Sequence, residues 1–179
     1  IDIMSKDCLG RDWQMGSIQL DFQLPKRFGC QFVNQQGEGE IPIVIHRVIY
    51  GSMERFMGIL LEHFAGRLPP WIAPVQIALL PVGNQHSSEC EDILKQCDQA
   101  GLRAIILPPE DRVPARVRMA EMRKIPFIAI IGDREESSGS VSLRIGGKRK
   151  SQSMLVGHFI EFVKGVCDAK EYELSLIHI

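Results

Sequence analysis

Between Arg67 and Pro74 the chain reads Arg-Leu-Pro-Pro-Trp-Ile-Ala-Pro, with three prolines in eight residues. Proline removes a backbone donor, fixes its own φ and pushes the preceding residue toward extended conformations, so neither a helix nor a central strand can run through this stretch. It sets a domain boundary, with residues 1–72 as one unit and 73–170 as a second. The two sides also differ in pattern. Before the prolines, Trp13 to Phe22 alternates, with Ile18, Leu20 and Phe22 on one side and Ser17, Gln19 and Asp21 on the other, as in an antiparallel strand between a core and a cleft. Ile43 to Ile49 reads as a second strand, and Gly51 opens a segment whose Phe56, Ile59, Leu60 and Phe64 keep helical spacing up to Gly66.

After the prolines the period switches repeatedly. Val75 to Val82 reads as a buried strand, Ser88 and Glu91 as a capping box, and Cys90, Ile93, Leu94 and Cys97 as the inner face of a helix that Gly101 ends. Strand-like runs at Arg103–Leu107, Phe127–Ile131 and Val141–Ile145 alternate with helical patterns at Ala115–Lys124 and Met154–Val166. The expected fold class is α/β, with an antiparallel strand–turn–helix remnant first and a mainly parallel, mixed sheet with packed helices second.

Composition narrows the class further. The 179 residues are 45% hydrophobic and 24% charged, enough chain for one large or two small cores, and the formal charge is −1. A balance this even neither requires nor excludes nucleic acid, which needs only a local cluster of cations. Five cysteines form no Cys-x-x-Cys pair, which points to a reducing compartment and a cytoplasmic location. Apolar runs such as Ile125–Ile131 are far shorter than the roughly 20 residues of a membrane helix, so no membrane partner is expected. The chain begins on Ile1 inside an alternating pattern and reads as a fragment; residues 174–179 read as a foreign, adaptor-derived tail.

Two segments carry more than fold class: Trp13-Gln14-Met15-Gly16-Ser17-Ile18-Gln19-Leu20-Asp21-Phe22, and His46-Arg47-Val48-Ile49-Tyr50-Gly51-Ser52-Met53-Glu54-Arg55-Phe56. Together they closely resemble the threonyl-tRNA synthetase family, the second being similar to motif 3 of the class II aminoacyl-tRNA synthetases. The Trp-Ile-Ala-Pro linker with the β/α pattern after it resembles the family's anticodon-binding domain. The resemblance implies a parent threonine–tRNA ligase that activates threonine with ATP and transfers it to threonine tRNA as a homodimer, the fragment alone being inactive. A non-catalytic, synthetase-like paralogue that binds tRNA or protein is the alternative.

The resemblance also assigns residues. Arg55 matches the arginine that stacks on adenine and meets phosphate oxygens, work suited to a planar, forked guanidinium, with Mg²⁺ accompanying the ATP. Ser52 offers a hydroxyl and a carbonyl at the turn, and Gln14, Ser17 and Gln19 match positions that contact adenylate or threonine. His46 sits among apolar neighbours, where a lone histidine is more often a core residue. The family match implies instead that it is one of three ligands to a Zn²⁺ that reads the threonine hydroxyl, the other two ligands lying upstream. In the second domain Glu135 and Arg144 match anticodon-reading residues, and an arginine can hydrogen-bond a splayed base edge in a bidentate way. Leu107-Pro108-Pro109-Glu110-Asp111 departs from the family's Asp-x-Arg-Asn-Glu, placing Glu110 where a base-reading asparagine is expected. The Gly146 to Lys150 turn reads as a basic turn that could touch phosphate.

Overall fold

A computed structural model describes residues 1–148 and 150–171. The tail at 174–179 and Arg149 of the basic turn lie outside the described residues. Contacts divide the chain into two compact units, Ile1–Ala65 and the residues from Gly66 on. The proline stretch therefore groups with the second unit, whereas the sequence places the break at 72. Its carbonyls explain this: the Gln76 amide donates to Pro70 O at 3.0 Å, and the Arg103 guanidinium donates to Trp71 O and Ala73 O.

The first unit is built on β1 (Asp2–Lys6) and β2 (Asp12–Asp21), followed by the short helix α1 (Leu24–Arg27) and a hairpin of β3 (Phe32–Val33) and β4 (Gly39–Glu40). Strand β5 (Val44–Val48) and helix α2 (Met53–His63) complete it. The sheet is antiparallel in the order β1-β2-β5, with a register shift between Ile3 and Met4. One expectation fails here. Leu20 and Phe22 are 60% and 57% exposed while Ser17, on the side read as polar, is 8% exposed. Ser17 sits centrally between Asp2 of β1 and Val48 of β5, and no described element of this unit covers the Leu20 and Phe22 side chains. Alternation gives the parity of a strand but not which face is covered.

The second unit comprises β6 (Ile77–Pro81), a 3₁₀ turn at Asn84–His86, α3 (Ser87–Gln99), β7 (Ala104–Ile106), α4 (Val113–Met122) and β8 (Phe127–Ile131). There follow α5 (Asp133–Ser138), β9 (Ser140–Ile145), β10 (Ser151–Leu155) and α6 (Val156–Asp168). The sheet runs β10-β9-β8-β6-β7; β6 is parallel to β7 and β8, while β9 and β10 are antiparallel to their neighbours, the mixed sheet the pattern predicts. Odd-numbered β6 residues Ile77 and Leu79 pack with Cys90, Ile93 and Cys97 of α3 and Phe159 and Val163 of α6. Even-numbered Ala78 and Leu80 pack with Val117 and Ala120 of α4 on the other face.

The capping box at Ser88 is not formed. The Asn84–His86 turn already bends the chain, so α3 starts at Ser87, His86 is its flanking residue, and no side chain caps it. One half of such a box appears instead on α5, where the Gly132 N–H donates to the Glu135 carboxylate at 3.2 Å; glycine has no side chain to return the contact.

Candidate functional site

In the first unit the turn after β5 is pressed onto β2. Gly51 has φ +61°, and a Cβ there would lie 3.1 Å from the Met15 carbonyl oxygen. Only glycine meets both demands at once. Ser52 then caps α2, its hydroxyl accepting from the Arg55 N–H at 3.3 Å and donating to Glu54 Oε2 at 2.9 Å. The Ser52 hydroxyl thus has a local structural task.

One turn into α2, the Arg55 guanidinium lies over Trp13 of β2, with Cζ 5.3 Å from the ring centroid. Glu54 is engaged by Ser52, and Glu62 lies 3.9 Å from Arg11. Trp13 is itself fixed: its indole N–H donates to Asp7 Oδ2 at 2.9 Å, and Asp7 also accepts from the Leu9 and Arg11 N–H groups and the Arg11 guanidinium. The Trp13 hydrogen bond, followed by those from Arg11 and Leu9, holds the Asp7 carboxyl well below the usual carboxylate range against the opposing effect of burial. Asp7 and Trp13 received no role from the sequence. The legible signal was the loop Asp7-Cys8-Leu9-Gly10-Arg11, an Asp that can capture amides two and four residues on, with Gly10 at φ +78°.

Gln14 and Ser17 converge on a residue the sequence did not suggest. Both donate to Asp2 Oδ1 at 2.6 Å, the extra residue Met15 in β2 opposite Ile3 and Met4 allowing residues of unlike parity to meet one carboxylate. Gln19 stands directly opposite His46 across the β2–β5 pair, and with Ser17 they line a recess of about 170 Å³. Gln19, Asp21 and His46 also line an open cleft of about 1,030 Å³, the upper end of the size range that small molecules occupy. His46 Nε2 lies 2.9 Å from Asp21 Oδ2. The Leu24 N–H, then His46 and the Gln23 N–H, lower the Asp21 pKa. Among the described residues no three His, Cys, Asp or Glu side chains cluster to hold a metal. These residues do not complete a zinc site, and His46 supplies one imidazole to it at most.

In the second unit the anticodon candidates separate. Register pairs Arg144 with Ile128, near the start of β8, whereas Glu135 follows the end of that strand; the two lie at opposite ends of the sheet. Glu110 is exposed in the turn after β7, at the Glu135 end. Each has a local setting. Glu135 caps α5 through Gly132, while Arg144 Nη2 donates to Glu121 Oε1 at 2.6 Å and Arg144 Nε is buried without a partner among the described residues. The loop bearing Glu110 is pinned by buried Arg116, whose guanidinium donates to Asp111 O at 2.9 Å and Leu107 O at 3.1 Å.

Comparison with known proteins fits this geometry. Residues 1–64 match the family described as the class II tRNA synthetase core domain (G, H, P, S and T), and residues 76–165 match the anticodon binding domain. A threonine–tRNA ligase of Thermus thermophilus is 43% identical over 161 residues, covering 90% of this chain and 24% of the relative. One of Thermotoga neapolitana is 39% identical over 176 residues, covering 98% and 28%. The chain thus spans about a quarter of the length of these relatives. The crystal structure of the RNA-binding domain of threonyl-tRNA synthetase from Cryptosporidium parvum superposes with a TM-score of 0.83 at 28% identity, covering 98% of this chain and 44% of that one. A prolyl-tRNA synthetase from the same organism shares the fold, with a TM-score of 0.69 at 18% identity over 90% of this chain and 36% of that one. With both of its units matched in chain order to the synthetase core and the anticodon-binding domain, the chain belongs to the threonyl-tRNA synthetase family of class II aminoacyl-tRNA synthetases.

Proposed function

We propose that this chain is the motif 3 and anticodon-binding part of a threonine–tRNA ligase. In the parent, threonine reacts with ATP to give threonyl-adenylate and pyrophosphate, and a hydroxyl at the 3′ end of threonine tRNA then takes the threonyl group, releasing AMP. The observation that carries the reading is Arg55 laid over Trp13 at the head of α2. A guanidinium braced on an indole is held flat, so adenine can stack on it while its edge N–H groups meet phosphate oxygens. Positioning of this kind, with charge stabilisation as the phosphate oxygens become more negative, supplies catalysis without a covalent intermediate on the protein. Gln14, Ser17 and Gln19 would orient adenylate and threonine through neutral hydrogen bonds, Ser52 would contribute its carbonyl, and Mg²⁺ would arrive with ATP. Zinc enters no step, because the described residues offer His46 alone.

The second unit would bind threonine tRNA, with Arg144 reading a base edge after exchanging Glu121 for it. Homodimerisation of the parent and its cytoplasmic location belong to the same proposal. Among the described residues no helix is long and apolar enough to cross a membrane.

In the full-length parent, Arg55→Lys keeps the charge and loses the flat fork. It should cost about 2–4 kcal/mol, or roughly 30-fold to 1,000-fold, in adenylate formation. Pyrophosphate exchange at the wild-type rate in that variant would reject the assignment.

A further inference from the structure

The two ends of the second unit's sheet carry opposite charge. Strand register places Arg103, Arg123, Lys124, Arg144, Lys148 and Lys150 at the end where β6, β7 and β8 begin and β9 finishes. The other end, past the last residues of β7 and β8, carries Glu110, Asp111, Asp133, Glu135 and Glu136 against Arg112 and Arg134, while the basic end carries Glu121, paired with Arg144. Open α/β sheets commonly bind ligands at that second end, outside the carboxyl ends of the parallel strands. Here its carboxylates disfavour a polyanion, and the opposite end is where phosphate would settle.

At the basic end lies a feature that the fold alone does not explain. The Arg67 guanidinium runs beneath the Gly146–Gly147 turn: a Cβ on Gly147 would lie 3.1 Å from Arg67 Cζ, and one on Gly146 3.1 Å from Nη1 and 2.5 Å from the Ile125 carbonyl oxygen, so backbone packing and the cation together keep Gly146 bare. The turn therefore covers the cation with bare backbone. Arg67 Nη1 is buried and has no hydrogen-bond partner among the described residues. A guanidinium N–H held from water without an acceptor is an unfavourable state that an anionic oxygen would relieve. Beside it Arg67, Leu68, Pro126, Ile145, Gly146 and Lys148 line a cavity of about 160 Å³. That is well below the roughly 300–1,000 Å³ of cofactor-sized pockets, and room for several waters at about 30 Å³ each. It is large enough for a tetrahedral oxyanion, and its lining supplies the Arg67 and Lys148 cations.

We propose that this cavity seats a phosphate of the RNA backbone, with Arg67 as its anchor and the basic end as the track on which the strand lies. The proposal rests on the reading of the second unit as tRNA-binding and adds to it a sequence-independent contact outside the anticodon-reading residues. Lys124 belongs to the same track. It holds φ +59°, a backbone conformation that glycine adopts without strain, three residues before the start of β8.

The test uses the whole chain and measures binding to threonine tRNA and to a non-cognate tRNA across a salt series. Arg67→Met fills the same space without the cation, and should leave the melting temperature unchanged or raised. It should weaken both tRNAs alike, by several-fold at low salt, and flatten the slope of log K against log salt by about 0.7–0.9, the release expected for one phosphate contact. Lys124→Gly should raise the melting temperature by relieving φ strain and still weaken both tRNAs, which separates binding from folding. Amide spectra distinguish the source of the anion. Millimolar inorganic phosphate should shift the Gly147 amide in the wild type and leave it unmoved in Arg67→Met, and RNA should produce the same shift at far lower concentration. If the wild type binds no tRNA even at low salt, the tRNA-binding reading fails and takes the proposal with it. If the wild type binds and the folded Arg67→Met chain matches it in affinity and salt slope, the proposal alone is overturned. A Gly147 shift with inorganic phosphate but none with RNA also overturns it.

Discussion

In the second unit the sheet is covered on both faces, with Leu79, Phe127 and Ile93 sealed from water on one side and Leu80 and Ile128 on the other. In the first unit α2 buries no residue fully, β5 is exposed along its length, and among the most enclosed groups is the carboxylate of Asp7. Strand patterns were legible in both, as alternation in the first unit and as near-continuous apolar runs in the second. What differs is whether the chain supplies the layer that goes over the apolar face. The second unit closes its own core; the first has two strands and a helix around β2 and is organised as much by polar contacts at Asp2, Asp7 and Gly51 as by burial.

Thiol labelling exposes this contrast most sharply. Cys8 and Cys30, both in the first unit, are exposed, while Cys90 and Cys97 are fully buried in α3, where burial pushes their thiols up to about 12 and about 11. Neutral-pH labelling followed by mass spectrometry should modify the first pair at once. The second pair should wait for opening of the unit, a protection of roughly 10³-fold or more if it has ordinary domain stability. Cys90 labelled as fast as Cys30 would mean that the second core is not closed.

Substitution in the two cores gives the next largest difference. Phe127→Ala should cost about 3–5 kcal/mol of second-unit stability, because the ring is fully enclosed between β6, β9 and α6. Leu20→Ala, on the open face, should stay within about 0.5 kcal/mol. The chain has two tryptophans, Trp13 in one unit and Trp71 in the other, so denaturant unfolding in Trp13→Phe and Trp71→Phe backgrounds follows each unit by its own fluorescence. A large loss from Leu20→Ala would show that its face is covered in solution.

The sequence made the second unit readable because its signals are local and agree. Four of its strands stand at or within a residue or two of where β-branched runs placed them, and Gly101 ends α3 at φ +76°. The short β10 was missed because Ser151–Leu155 carries only two apolar residues and pairs only with β9. The capping box failed for a different reason: Ser88 and Glu91 have the right spacing, but an unforeseen turn at Asn84–His86 moved the helix start. In the site, the resemblance singled out Gly51, Arg55, Gln19 and His46, and strand register adds that Gln19 faces His46. It could not name Asp2 or Arg67, whose neighbours Gln14, Ser17 and the Gly146–Gly147 turn are far along the chain, and it left Asp7 unread although its partners are local; nor could it separate Arg144 from Glu135, since strand register and not proximity in sequence decides which end of a sheet a residue occupies.

Acid should distinguish the units by a smaller margin. Because hydrogen bonds from Trp13, Arg11 and Leu9 depress the folded-state Asp7 pKa, its contribution to stability is complete above the unfolded value near 3.9 and is lost as pH falls through the lower folded value. Trp13 fluorescence should therefore begin to change below about pH 4, while the Trp71 signal persists to lower pH. Asp7→Asn should lower the first-unit transition at pH 7 and erase most of that acid step, and should leave the second unit unmoved. An acid step of full size in the variant would place the titrating group elsewhere.

The smallest effect on stability is expected at the edge of the second unit, where charge and core part company. Glu121 and Arg144 are joined at 2.6 Å with side chains 29% and 25% exposed, a setting in which an ion pair contributes about 0–1 kcal/mol. Glu121→Gln should thus hardly move the melting temperature. It should nonetheless change binding, because Arg144 Nη2 loses its competing carboxylate and the basic end loses one negative charge. Cognate threonine tRNA should bind several-fold more tightly, by more than a non-cognate tRNA does, if Arg144 reads a base; equal gains would reduce it to a phosphate contact. Arg144→Ala supplies the converse, a loss of about 1–3 kcal/mol on the cognate anticodon with relaxed discrimination. Glu110→Asn at the far end should alter neither quantity if reading is confined to the basic end. If Glu110→Asn changes which anticodon is preferred while Glu121→Gln and Arg144→Ala do not, recognition lies at the acidic end, and the Arg144 assignment is wrong.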